Sequence, residues 1–211
     1  MPKKSKQLSI QLRSRYRTLE STQKGIEDLT RRRLVTQRAA QLMYESLFLS
    51  AHVAIEGFIE QLFLGHLIDK ASAKCLVSDV YNIKPRVLIR SAQIAREMVT
   101  GAGKRYIDWI PYDKTIEIAK IYFRNGMPFD ELTVIEKKHL EKCHIIRNAI
   151  AHKSRHSLKL FERKVLGDNR YPPRERTPSG YLSAIIRVTP TQTRFSVYLA
   201  QLAQIAHKLA A

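Results

Sequence analysis

Between Leu34 and Asp69 the chain contains no proline, and its only helix-breaking residues are Gly57 and Gly65. An uninterrupted segment of that length predicts one long helix or two in tandem. From Leu47 to Leu67 apolar residues cover almost the whole circumference, which is the pattern of a helix buried at the centre of a domain. Its one polar stripe is His52, Glu56 and Glu60, each four residues after the last. With Gln61 and His66 these residues make the run too polar for a bilayer span. Most of the other segments also read as helical, so the expected fold class is all-α.

The rest of the 211-residue chain is read around that helix. A hydrophobic content of 44% suits one domain with an elaborated terminus, large enough to hold a core without metal or disulfide support. The two cysteines, Cys75 and Cys143, lack C-x-x-C spacing and read as free thiols of a reducing cytoplasm. The basic start leads into polar sequence rather than an apolar h-region, so no signal peptide and a cytoplasmic location are expected. The histidines have neither paired cysteines nor an H-E-x-x-H arrangement, so neither a metal site nor a cofactor is expected.

Charge points to a polyanionic partner. Thirty-seven Lys and Arg stand against nineteen Asp and Glu, a formal +18, and phosphate contacts with counterion release make nucleic acid the leading candidate. Residues 1–38 carry eleven basic residues against three acidic ones. Leu8, Leu12, Leu19, Ile26 and Leu29 give this arm a loose helical period, so it is expected to form either a nucleic-acid clamp or a solvated helix. The expected organisation is this basic arm or helix at 1–38, then one helical domain over 39–211.

Further elements follow in order. Residues 70–84 read as a connection. Pro85–Thr100 reads as a helix with Val87, Leu88, Ile94, Ala95 and Met98 inward, broken at Gly101-Ala-Gly103. Asp113 is a candidate cap for a helix reaching Phe123 and ending at Asn125-Gly126. Thr133 or Asp130 would cap a helix over Val134–His152. Another helix is expected over Ser154–Leu166, then a loop to Pro178. Ser179–Val188 fits strand or helix, leaving room for a short β-hairpin near the C-terminus. Thr191–Leu209 shows an apolar stripe of Phe195, Leu199, Leu202, Ile205 and Leu209. Trp109, with Tyr106 and Tyr112, suits either base stacking or a core anchor.

The helix over Val134–His152 ends in Ile145-Ile-Arg-Asn-Ala-Ile-Ala-His152. Cys143, Ile146, Ile150 and Ile135 fall on one side and predict its buried stripe. Arg147 and His152 lie about 140° apart around the helix with Asn148 between them, and Asn148 stands one turn before His152. A guanidinium, an amide and an imidazole on one face suit a phosphate. A purely structural reading of the same residues has Arg147 and Asn148 capping a helix junction, with His152 favoured by the dipole at the C-terminus.

The string R-N-A-I-A-H resembles the R-x(4)-H motif of HEPN domains, in its commonest form R-N-x-x-A-H. HEPN domains are all-α proteins that include many prokaryotic ribonuclease toxins and antiviral effectors. The apolar stretch AHVAIEGFIEQLFLGHL is similar to the second helix of that family, and the resemblance covers roughly residues 40–200. Ser154 departs from the tyrosine found two residues after the histidine in the branch paired with nucleotidyltransferase antitoxins, which argues against that branch. The resemblance implies a HEPN-like helical bundle that dimerises with two motifs facing one cleft. It also implies metal-independent cleavage of RNA, transfer RNA included, and a toxin or antiphage role with a cognate antitoxin or regulatory protein.

Metal-free RNA cleavage needs a base for the 2′-hydroxyl proton, an acid for the leaving 5′-oxygen and a cation on the pentavalent phosphate. On this reading His152 is the general base or acid, Arg147 the transition-state stabiliser and Asn148 the positioning group. Lys153, Arg155 and His156 are the expected substrate contacts. His144, on the same polar face, and Glu56, if the stripe on the apolar helix faces the motif, are supporting candidates. Two rivals remain: a non-catalytic nucleic-acid-binding module on the same basic surface, and a regulatory subunit that binds a partner enzyme.

Overall fold

A computed structural model describes residues 5–68, 91–101 and 107–211. Of the expected features, Cys75, Val87, Leu88, Tyr106 and the Ala-Gly half of the Gly101–Gly103 break lie outside the described residues. The long apolar segment forms one unbroken helix, α2 (Gln37–Ile68). Length and composition alone would qualify it to cross a membrane, polar stripe notwithstanding. Ile55, Ile59, Leu62 and Phe63 are instead fully buried, as a core helix requires. The fold is all-α with a single two-stranded sheet among the described residues. The helices are α1 (Ser5–Arg31), α3 (Ala92–Thr100), α4 (Tyr112–Tyr122), α5 (Val134–His152), α6 (Arg155–Phe161), α7 (Pro178–Ser183) and α8 (Arg194–Leu209).

The basic N-terminal segment is helical over Ser5–Arg31. Its buried positions Ser5, Leu8, Leu12, Tyr16, Gln23 and Ile26 follow one another at steps of three, four or seven residues, so one narrow stripe packs while the arginines stay in water. Leu29, counted in that stripe from the sequence, is exposed.

Contacts divide the chain into two units. The first comprises residues 1–12, 55–140 and 204–211. Its core is aromatic: the Phe63 ring lies 5.0 Å from Trp109, 4.8 Å from Phe123 and 5.1 Å from Phe129. The Tyr112 hydroxyl donates to the Phe129 carbonyl at 2.9 Å, and Thr115 donates to that of Trp109 at 2.7 Å. Trp109 and Tyr112 are thus core anchors. Pro111 rather than Asp113 precedes α4, and Asp113 lies in its first turn. The helix ends at Tyr122, where Phe123 turns extended, and Asn125 and Gly126 just beyond take left-handed φ angles of 55° and 72°, which asparagine and glycine tolerate best. Ile94 and Met98, expected inward, are exposed, and only Ala95 of that helix is buried. A nine-residue helix that buries one alanine has little packed surface to orient its other apolar residues.

Thr133 caps α5 as its sequence suggested. Its backbone N–H and hydroxyl both donate to Glu136 Oε2, at 2.7 and 2.8 Å, and its own Oγ1 accepts from the Glu136 N–H. This is the reciprocal capping box. Ile135 corrects the expected buried stripe: it is 80% exposed. It has the right helical phase but lies in the first turn, before the packed length of the helix begins.

The second unit comprises residues 13–54 and 141–203. Tyr16 donates to the Ala51 carbonyl at 3.2 Å and Tyr44 to Glu27 at 2.7 Å, tying α1 to α2. Phe48 packs edge-on to Tyr198 and Tyr44 to Phe195, bringing α8 onto the same core. From α5 this core receives Cys143, Ile146 and Ile150, all buried. The buried Cys143 thiol is pushed well up from its ordinary pKa and stays protonated.

The segment read as ambiguous is both things in turn. Pro178–Ser183 is helical, and Ile185–Arg187 then pairs antiparallel with Gln192–Thr193 as the short C-terminal hairpin, β1 and β2. The expected helix over Ser154–Leu166 is α-helical only through Phe161; Glu162–Leu166 widens into a π turn that ends at Gly167.

Candidate functional site

Every motif residue lies on the last two turns of α5, in the second unit. Cys143, Ile145, Ile146, Ala149 and Ile150 are buried, and this fixes the rotation of the helix. It leaves Arg147 and Asn148 half-buried and His152 exposed. The helix ends sharply. His152 is its last residue, Lys153 takes a left-handed φ of 47°, and Ser154 caps α6 by accepting from the Ser157 N–H at 3.2 Å. The imidazole therefore stands at a corner where the backbone turns away and leaves one side open.

Arg147 is the hub. Its Nη1 donates to Asn148 Oδ1 at 2.9 Å and faces His152 Nε2 at 3.4 Å. Nη1 carries two hydrogens, enough for both contacts, and because arginine only donates, a hydrogen bond to His152 uses the lone pair of Nε2. The guanidinium keeps its Nε and Nη2 hydrogens, the fork that suits two phosphate oxygens. Arginine and histidine meet although their positions diverge around the helix.

Asn148 does not turn to His152, one turn ahead of it. Its Nδ2 contacts His144 Nε2 at 2.9 Å, one turn behind. His144 is half-buried, and its ring centroid lies 6.0 Å from that of His52 on α2. His52 is only 2% exposed. A polar line thus runs inward from the surface: His152, Arg147, Asn148, His144, with His52 beside its inner end. The polar stripe of α2 meets the motif helix through His52. Glu60 of that stripe pairs instead with Arg96 at 2.9 Å in the first unit. Glu56 is half-buried and also falls in the first unit.

The expected substrate contacts divide. Lys153 Nζ is held by Glu45 Oε2 at 2.8 Å, which ties the corner after α5 to α2. Glu45 gave no signal in sequence, being 108 positions away from Lys153. Arg155 and His156 are exposed in the first turn of α6, and Lys159 and Arg163 follow Arg155 at four-residue steps, also exposed. Among the described residues no cluster of three or more His, Cys, Asp or Glu side chains could hold a metal ion. Comparison with family models, with curated proteins and with solved structures returns no match.

Proposed function

We propose that this chain is a HEPN-type endoribonuclease that cleaves RNA by attack of the 2′-oxygen on the adjacent phosphorus, with no need of a metal. The observation that carries the reading is the Arg147–His152 contact at 3.4 Å on the exposed end of α5, with the basic face of α6 following directly in the chain. The R-N-A-I-A-H string and its likeness to the family motif support it.

In this reading a phosphate oxygen displaces the long contact between Nη1 and His152, and the guanidinium fork holds the non-bridging oxygens. Released from the arginine, His152 Nε2 takes the 2′-hydroxyl proton. The 2′-oxygen bonds to phosphorus, the bond from phosphorus to the 5′-oxygen breaks, and charge gathers on oxygens already paired with Arg147. The leaving 5′-oxygen takes a proton from the His152 imidazolium of a second copy in a homodimer whose motif helices face each other. The products are a 2′,3′-cyclic phosphate and a 5′-hydroxyl. In a prokaryotic cytoplasm such an activity belongs to a toxin or an antiphage effector, restrained by a cognate antitoxin or regulatory protein.

The test is purified protein on total RNA and on transfer RNA in EDTA, wild type beside His152→Ala. Cyclic-phosphate fragments from wild type and none from the variant are expected. Intact RNA with both proteins, and an equal salt-sensitive gel shift with both, would overturn the enzyme in favour of a binding module. The +18 charge supports that second reading.

A further inference from the structure

We propose that His144 is a positioning residue of this site: its Nε2 accepts from the Asn148 amide and so fixes which end of that amide meets Arg147. The proposal rests on Arg147 and His152 being the working pair, and names a residue outside the R-x(4)-H string that keeps them together.

The two ends of an asparagine amide are nearly equal in size, so shape does not choose between them; partners must. Arg147 has only donors and needs Oδ1, which accepts from Nη1 at 2.9 Å. That choice sends Nδ2 the other way, where it needs an acceptor. No other residue of the string supplies one. His144, one turn earlier on α5, does so at 2.9 Å, and this requires Nε2 to be bare, with the ring proton on Nδ1. The Nε2–H tautomer or an imidazolium would present a donor and demand Oδ1 for itself. The amide would then turn its Nδ2 toward Nη1, two donors face to face, and the guanidinium would lose the acceptor that holds it beside His152. Asn148 on its own helix and the buried His52 ring of α2, at 6.0 Å, both face His144.

Two substitutions separate this role from packing. His144→Leu keeps comparable volume and removes the acceptor; His144→Gln restores an acceptor oxygen on an unbranched stem. Loss of the acceptor is expected to lower kcat about ten- to a hundredfold with KM little changed, and glutamine is expected to recover most of it. If His144 acts through Asn148, His144→Leu with Asn148→Ala is no slower than Asn148→Ala alone. Additive losses, or glutamine no better than leucine, would overturn the proposal. A readout independent of cleavage accompanies these rates. Nitrogen NMR of wild type is expected to show His144 with an unprotonated Nε2, and slow Arg147 Nη1 hydrogen exchange that speeds up in His144→Leu but not in His144→Gln. An Nε2–H tautomer, or exchange indifferent to residue 144, sinks the inference whether or not RNA is cut. Wild type that leaves RNA intact but gives the expected spectra sinks the ribonuclease reading and leaves the His144–Asn148–Arg147 link standing.

Discussion

Single side chains in this protein are set by where their lone pairs and protons can go. His66 shows this away from the motif. It lies at the end of α2, 8% exposed, with its ring edge-on to Phe123 and Phe129 at 6.0 and 6.3 Å. Burial among aromatic rings opposes a charge there, and its pKa falls from 6.5 to about 4. Between those values the unfolded chain holds a proton that the folded chain refuses. Stability therefore falls as pH drops from about 6.5 to about 4, by about 3 kcal/mol in total, and levels off below. Urea unfolding across that window is expected to show the slope in wild type and a flatter profile in His66→Leu. Parallel profiles for the two would mean that His66 does not titrate in this way. The motif obeys the same logic at shorter range. Arg147 can only donate, Asn148 must offer its oxygen, and His144 must offer a bare nitrogen.

At the scale of elements, legibility followed periodicity and capping chemistry. The apolar circumference of α2, the Thr133–Glu136 box that opens α5 and the stripe from Phe195 to Leu209 on α8 are local patterns, and each was readable in the sequence. Ile135, Ile94 and Met98 were misplaced because periodicity gives the phase of a helix but not the length over which a neighbour covers it. The site was legible in part. Arg147, Asn148 and His152 stood out in the string, and His144 shared their face. That Asn148 turns back to His144, that His52 lies beside it, and that Glu45 holds Lys153 all depend on rotamers and on long-range packing. One further requirement at this scale is Gly180 in α7, which the sequence marks only as a glycine. A Cβ there would run into the carbonyl oxygen of Arg174 and approach the capping Thr177 Oγ1, whose acceptance from the Gly180 N–H begins the helix. Gly180→Ala is expected to cost about 1–3 kcal/mol, read as a lower urea midpoint with an unchanged m-value. An unshifted midpoint would mean that the turn over 173–177 gives way at no cost.

For the molecule as a whole, charge is the dominant property, and the useful question is how much of it works at the site. A formal +18 attracts any polyanion, so weak binding to RNA would by itself say little about where the strand runs. Arg155, Lys159 and Arg163 are different in kind. They are exposed and begin three residues after His152, with Arg155 and Lys159 one turn apart on α6 and Arg163 in the π turn that follows. A strand that leaves Arg147 along α6 would set its next phosphates against this row. If all three contact phosphates, replacing them with alanine removes three counterion-release contacts. The slope of log K against log salt for single-stranded RNA should then become shallower by about 2. The chemical step does not involve them, so KM should rise while kcat at saturation stays near wild type. Alanine at three basic positions of α1 that remain exposed, Arg13, Arg17 and Lys24, removes the same formal charge. If overall charge alone governs binding, the two triple variants will lose the same slope and the same KM. If the strand follows α6 and the π turn out of the site, the variant at Arg155, Lys159 and Arg163 loses far more, and the contrast traces the path of the substrate from the motif.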